Sequence, residues 1–263
     1  MINVIYKKKG FKINAVWFCD DIDKIINSSK ADFIFFHGVS SNNYKKAIIN
    51  KQFSLITDLT MTLEEIFKQF NRTYRSQINH VKNEDINCVT FDSMNLKNDS
   101  QLLSSFEKEY EDFVKLKGIP NTYNGPAMEQ YIENRNVILT KAFKGEENYA
   151  QHVILYDNNT ARILYSVSNF RIENLDSNFV GRANKYLHWY DIGCLKEKKI
   201  NLLDWGGIQS FDNPNGVDRF KNGFGGQECS YYNVILGKSR IGKLAVLLMK
   251  LKRGLVYVFN KTR

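Results

Sequence analysis

The chain is poor in the residues that announce many common chemistries. Only three prolines occur in 263 residues, and the four cysteines, Cys19, Cys88, Cys194 and Cys229, stand singly. With no C-x-x-C pair and no cysteine–histidine cluster, a zinc ribbon, a redox motif and a disulfide framework are excluded; single thiols in a reducing compartment are expected. His37, His80, His152 and His188 have no metal-ligand spacing, so no metal is expected. The "GKS" at 237 to 239 lacks the upstream glycine of a P-loop, because Tyr232 occupies that place, and there is no G-x-S-x-G elbow. No apolar run approaches the ~20 residues of a membrane span. The opening "MINVIYKKKGFKINAVWF" has lysines but no signal-peptide core, so the expected address is the cytoplasm.

What is present reads as a folded protein: 43% hydrophobic and 25% charged residues lie near the globular average. The length allows one large domain or two modest ones. Charge is unevenly placed. Of the formal net +9, nearly all lies between Gly237 and Arg263, where Lys238, Arg240, Lys243, Lys250, Lys252, Arg253, Lys261 and Arg263 occur with no acidic residue.

Three early stretches, "INVIYK", "FKINAVWFC" and "ADFIFFHGV", have the β-branched and aromatic content of strands, and "FSLITDL" is a fourth. The next segment, "TMTLEEIFKQFNRTYRSQINHVKNE", places Leu63, Ile66, Phe67, Phe70, Tyr74 and Ile78 at helical spacing behind a Thr62/Glu65 capping box. One helix is expected there. A polar interval, Ser93 to Ser100, separates it from a second unit. That unit opens with a helix from Leu102 to Lys117, stopped by Gly118, and a shorter one from about Pro126. Three strands follow ("NVILTKAF", "YAQHVILY", "ARILYSVSNF"), the last two joined across the turn residues Asp157 to Thr160. A helix from about Phe179, the strand "INLLDW", a short helix and the strand "CSYYNVIL" complete it. Domains of 1–95, 96–236 and a 237–263 tail are expected. The layout is α/β with a mixed sheet flanked by helices, in the element order of a GNAT acyltransferase domain.

Residues 202 to 227 concentrate six of the sixteen glycines around Lys221. Within and before this segment, "GRANKYLHWYDIGCLKEKKINLLDWGGI" and "GVDRFKNGFGG" resemble the carboxy-terminal half of the Fem family, GNAT-like enzymes that add amino acids to peptidoglycan precursors, and their acyltransferase cousins in surface-polysaccharide synthesis. The helix beginning "DLTMTLEEIFKQF" resembles a recurrent helix of the family's first lobe. The resemblance implies an acyltransferase acting on an amino group of a nucleotide- or lipid-linked cell-envelope saccharide precursor. Amino-acid addition to the peptidoglycan stem peptide is the alternative, and a non-catalytic, membrane-associated subunit of a polysaccharide assembly complex is a third reading. Acyl-CoA, such as acetyl-CoA, is the favoured donor and aminoacyl-tRNA the other; the acceptor is an amino sugar or peptide precursor. The sequence departs from the family in a compressed first GNAT-like lobe, in having no hairpin arm, and in lacking an R/Q-x-x-G-x-G/A pyrophosphate loop.

Acyl transfer needs an unprotonated nucleophile, stabilisation of an oxyanion and a hold on phosphates. The resemblance gives Lys221 the charge-stabilising role, with Phe220 positioning it, against the alternative of a solvated helix lysine. Arg219, Gly225 and Gly226 complete the segment, the glycines as an anion-binding nest. Asp204, at a strand end before Gly206-Gly207, either orients the acceptor or caps the turn. Tyr165 matches a family tyrosine presented toward the acceptor, or else packs. Asn184 and His188, one helical turn apart, share a face and could reach one ligand, His188 as a general base or simply as a hydrogen-bonded histidine.

In the tail, Ile241, Leu244, Ala245, Leu248, Leu251 and Leu255 share a helical face opposite Lys243, Lys250 and Arg253, with Lys252 breaking the pattern. That is the pattern of a helix lying in an anionic membrane interface, which would place the protein peripherally on the inner face of the cell membrane. The rivals are a grip on transfer RNA and packing of the aliphatic face on the domain.

Overall fold

The computed structural model describes residues 1–172 and 175–261, with side chains described through Lys252. Two compact units emerge. Residues 1–52 and 230–263 form the first, and residues 53–229 the second.

In the first unit, β1 (Ile2–Lys8) and β2 (Phe11–Trp17) form an antiparallel hairpin, and α1 (Ile22–Ser28) leads to β3 (Phe33–Val39), which lies parallel to β2. Next come β4 (Ile48–Asp58), α2 (Leu63–Gln69), α3 (Arg72–Val81), β5 (Asn87–Asp92), α4 (Ser93–Asn98), α5 (Ser100–Lys117), α6 (Gly125–Glu133), β6 (Val137–Lys144), β7 (Glu147–Tyr156), β8 (Thr160–Ser168) and α7 (Ser177–Glu197). The chain ends with β9 (Leu202–Asp204), α8 (Gly216–Asn222), β10 (Gln227–Gly237) and α9 (Arg240–Lys261). Strands β4 and β10 each run from one unit into the other, and β10 pairs antiparallel with β3.

The second unit's strands lie in the order β4-β9-β8-β7-β6-β5, all antiparallel neighbours except β8 and β9. This is the expected α/β class, a mixed sheet flanked by helices. The unit's main core gathers Leu55, Ile66, Phe70, Ile78, Leu203 and Phe224, with Trp205 buried among them and its indole N–H donated to Thr57 at 2.8 Å. In the first unit, Val16, Ile34, Phe36 and Val234 make a smaller core.

Several local expectations change. The single helix expected from Thr62 onward is two, α2 and α3. The Thr62/Glu65 capping box is present, but Asn71 takes extended backbone (φ −60°, ψ 158°), donates its N–H to Gly223 O at 2.9 Å and caps a new helix by accepting from Tyr74 N. A helix start has been inserted where the apolar periodicity continues unbroken. The polar interval from Ser93 is helix α4, because Asp92 and Asn95 form a reciprocal cap that the interval's low hydrophobicity conceals. The boundary expected at residue 95 falls instead at 52, since α2 and α3 bury their apolar faces in the second unit's core. Residues 230–263 return to the first unit rather than forming a separate tail.

The tail is helical as expected, and its seam against the first unit is narrow. Gly242 and Val246 are buried, and a Cβ on Gly242 would stand 2.1 Å from Asp32 O, so only glycine allows this approach. The residues of the expected aliphatic face point outward: Ile241 is 65% exposed, and Leu244, Leu248 and Leu251 are 57% exposed. Among the described residues, the packing alternative for that face does not hold. The side chains of Arg253 and Leu255 lie outside the described residues, as do Thr262 and Arg263. Among the described residues, no helix is long and apolar enough to cross a membrane.

Candidate functional site

The glycine-rich segment lies in the second unit, at the end of β9. Asp204 is buried at 6% exposure and is fully engaged. One carboxylate oxygen accepts from Ser54 Oγ and from Gly206 N at 2.8 Å, and the other from Arg162. It thus caps the turn it precedes and also neutralises a half-buried guanidinium. Both alternatives considered for Asp204 assign it one task; the structure gives it the cap and a charged partner within the chain.

Beyond the turn, the loop from Trp205 to Asn215 is held from α8. Asp218, buried at 1% exposure, accepts from the backbone N–H groups of Gln209, Ser210 and Asn215 at 2.9, 3.3 and 3.1 Å. Asn215 caps α8 and Arg219 reaches back to Pro214 O at 3.0 Å, so Arg219 braces the loop from outside. This loop presents Gly207 O to Lys221, whose Nζ donates to it at 2.9 Å. Burial pushes the Lys221 ammonium down to about 8; Arg162 pushes the same way, and Asp204 and Asp218 resist. The group therefore keeps its charge at neutral pH, loses it as pH rises through about 8, and responds to any anion placed beside it.

Phe220 forms the floor. Its ring lies 5.9 Å from Tyr74, 5.3 Å from Phe224 and 5.5 Å from His188, and its carbonyl accepts from Tyr74 OH at 3.1 Å. Desolvation raises that phenol to about 12, so it stays protonated and keeps the bond. Gly225 and Gly226 follow with φ of +72° and +101°, a region that favours glycine. A Cβ on them would stand 2.7 Å from Gln69 O and 2.9 Å from Ile56 O, and Gly225 N already donates to Asn222 O. The glycine pair makes room for the protein's own main chain.

His188 is 4% exposed, with its ring stacked on His152 at 4.0 Å and against Trp205 and Phe224. Burial, reinforced by the positive fields of His152, Lys221 and Lys185, holds it well below the usual histidine range. At neutral pH it is an uncharged ring supporting Phe220. Asn184 accepts from His152 Nε2 at 3.0 Å, while His152 Nδ1 faces Asp191 at 2.6 Å and Thr140 donates to the same carboxylate at 2.7 Å. Asn184 is thereby committed inside the protein. His152, His188 and Asp191 offer three potential ligand atoms within 4.8 Å of one another, a grouping that the spacing of the histidines alone does not reveal.

Lys221, Phe220, His188 and Asp204 are thus gathered in one region. Tyr165 belongs to a different cluster, buried against Phe106, Tyr110 and Tyr123, with its hydroxyl given to Thr122 O at 3.1 Å. The residues that sequence reasoning misses are Arg162, Asp218, Lys185 and the His152–Asp191 pair. For the last, a signal exists: Asn184, His188 and Asp191 form a polar stripe on a helix face, and His152 stands between Ala150 and Ile154 on one face of its strand.

No family model and no curated protein matches the sequence. The fold does have relatives among solved structures. A FemX crystal structure aligns with a TM-score of 0.61 at 12% identity, over 93% of this chain and 86% of that one. The C-terminal domain of a lysylphosphatidylglycerol synthetase from Agrobacterium fabrum aligns at 0.56 and 10% identity, over 94% and 87%. L-PGS from Bacillus licheniformis aligns at 0.52 and 10% identity, over 94% and 88%. The fold is therefore of the Fem type, as the sequence motifs led one to expect.

Proposed function

On the premise of a Fem-type fold, we propose that this chain is an acyltransferase that acylates an amino group of a nucleotide- or lipid-linked cell-envelope saccharide precursor, with an acyl-CoA as donor. The observation that carries the reading is Lys221: a half-buried ammonium held at 2.9 Å on the carbonyl of a braced loop. A desolvated cation held before the reaction begins favours the oxyanion of a tetrahedral intermediate over the neutral ester or thioester, and losing such a stabiliser costs about 3 to 4 kcal/mol of transition-state binding. In this reading the acceptor amine arrives unprotonated. Asp204 acts through Arg162, and His188 acts through Phe220; both position rather than exchange protons. Arg219, Gly225 and Gly226 shape the segment, and Asn184 supports it through His152. Tyr165 stays with its separate aromatic cluster, its hydroxyl given to Thr122 O.

A second reading keeps the site and changes the donor. One of the structural neighbours carries the name lysylphosphatidylglycerol synthetase, which describes joining a lysyl group to an anionic membrane lipid. This favours transfer of an aminoacyl group from tRNA, onto a peptidoglycan stem peptide or another envelope component. In both readings the exposed aliphatic residues and basic side chains of α9 hold the protein at the anionic inner face of the membrane, where a lipid-linked acceptor resides. Incubation with acetyl-CoA or charged tRNA, together with an amino-sugar nucleotide or a lipid-linked precursor, followed by product mass, separates the two donors. Product from neither donor would leave a binding subunit.

A further inference from the structure

The end of α5 and the segment after β8 meet in a surface patch of the second unit, away from the glycine segment. Leu116 and Ile119 lie on either side of the left-handed cap residue Gly118 (φ +65°), and Phe170 and Ile172 follow β8. Their side chains are exposed at 57, 48, 37 and 43%. Contacts join the two segments: Arg171 Nη1 donates to Leu116 O at 2.7 Å, and its guanidinium lies 5.2 Å from the centre of the Phe170 ring. Lys117 Nζ lies 4.3 Å from the centre of the Phe113 ring and 5.7 Å from that of Phe170. The four apolar side chains therefore belong to one surface.

Two cations sit within that surface. Lys117 is half-buried, and burial, reinforced by the nearby Arg171 charge, pushes its ammonium down. Among the described residues, neither cation has a carboxylate within ion-pairing distance, although Asp112 stands one turn before Leu116 on α5. The carbonyl end of a helix attracts cations, which accounts for Arg171 on Leu116 O. It does not account for the exposed apolar side chains around them. Single exposed apolar residues are ordinary, whereas a contiguous group marks an interaction face. A partner for this one brings negative oxygens to two neighbouring cations and apolar surface to the side chains beside them. An anionic bilayer offers both, phosphates in the headgroup layer and acyl chains just beneath.

We propose that Leu116, Lys117, Ile119, Phe170, Arg171 and Ile172 form a second membrane contact, which seats the unit carrying Lys221 on an anionic lipid surface. Lys117 and Arg171 donate to lipid phosphates, while the apolar side chains enter the layer below. The contact is separate from α9, which belongs to the other unit, and holds whether or not acyl transfer is the reaction. It rests on the α9 reading in one respect: α9 delivers the protein to the vesicle, and the patch then adds affinity and orients its own unit.

The test is sedimentation of the intact chain with phosphatidylglycerol vesicles at low salt, with α9 unchanged. L116S combined with I172S should weaken binding roughly tenfold. K117Q combined with R171Q should do the same, and K117R with R171K should keep most of the affinity. Relative to wild type, F170W should add emission that is quenched by phosphatidylglycerol brominated along its acyl chains. L63S, which removes an exposed apolar residue elsewhere in the same unit, should change nothing. If the wild type binds, then undiminished affinity in both paired variants, an unquenched F170W or equal weakening in L63S would overturn the patch and leave α9 standing. A wild type that ignores the vesicles would overturn both contacts. Self-association of the wild type that L116S with I172S abolishes would give the face to a second copy of the chain and overturn the lipid contact. Melting temperatures of the variants keep loss of fold separate from loss of binding.

Discussion

Arg162 and Asp204 are register partners on the adjacent parallel strands β8 and β9, and their side chains form an ion pair with 13% and 9% exposure. The pair sits at the point where β9 turns into the glycine-rich segment, so the strand register itself delivers a guanidinium to the side of Lys221. Removing one member leaves the other charged and largely desolvated. Asp204→Asn keeps the size of the side chain but sets an amide against Arg162, and chemical denaturation should show a loss of about 3 kcal/mol. Unchanged stability together with lost turnover would instead place Asp204 among the groups that touch substrate.

Lys221→Met should lower turnover at least tenfold. It should not lower stability at pH 7, because the structure resists the charge it removes. The sign follows from the direction of the shift. A lysine held at about 8 binds fewer protons than the unfolded chain's lysine at about 10.4, so the penalty is fully present below 8 and fades as pH rises through that window. Lys221→Met should accordingly be at least as stable as wild type at pH 7, with any advantage shrinking by pH 10. Melts at both values check this.

The same shift sets the pH profile. If the charged ammonium stabilises the oxyanion, kcat/KM should fall as pH rises above about 8. Lys221→Arg, whose charge persists, should move that limb upward even at reduced rate. A limb that stays in place in Lys221→Arg assigns it to another group.

The glycine segment was legible as a special place in the sequence because strand end, glycine pair, Phe-Lys and glycine pair follow one another so closely. What the glycines do was not legible. Positive φ is implied by glycine, but that Gln69 O and Ile56 O occupy the vacated space depends on chain segments more than 150 residues away. Lys185 was hidden for a similar reason. On a helical wheel it is an ordinary polar position, and only the approach of the Tyr74 and Phe220 rings from α3 and α8 sets it apart. The break between α2 and α3 was obscured by apolar spacing that continues through Asn71, whereas the capping box at Thr62 was read directly, since its partners lie three residues apart.

Beneath the site, the Thr140–Asp191–His152–Asn184 chain is wholly buried. Asp191→Ala removes two of its hydrogen bonds and strands His152 in the interior, for a stability loss of about 3 kcal/mol. An equilibrium urea unfolding series measures it. A near-neutral effect would show that the network is dispensable to the fold.

For α9, exposed aliphatic side chains coincide with Lys243, Lys250 and Lys252 and no acid. Sedimentation with phosphatidylglycerol vesicles should be strong at low salt and weaken as salt rises, because surface charge is screened over ~10 Å at 0.1 M. Lys243→Gln, Lys250→Gln and Lys252→Gln together should abolish it, at about 1 kcal/mol for each charge. Leu244→Ser with Leu248→Ser should weaken it even at low salt. Retention of RNA in place of vesicles would reassign the surface.

The central claim is that the Lys221 site transfers an acyl group, and product mass tests it most directly. The wild-type protein, given an amino-sugar nucleotide or a lipid-linked precursor with acetyl-CoA or charged tRNA, should yield an acceptor heavier by one acyl or aminoacyl group. Lys221→Met, folded to the same melting temperature or higher, should yield at most a tenth as much. Equal product from the wild type and Lys221→Met, or no product from any donor and acceptor pair with a folded protein, would contradict it.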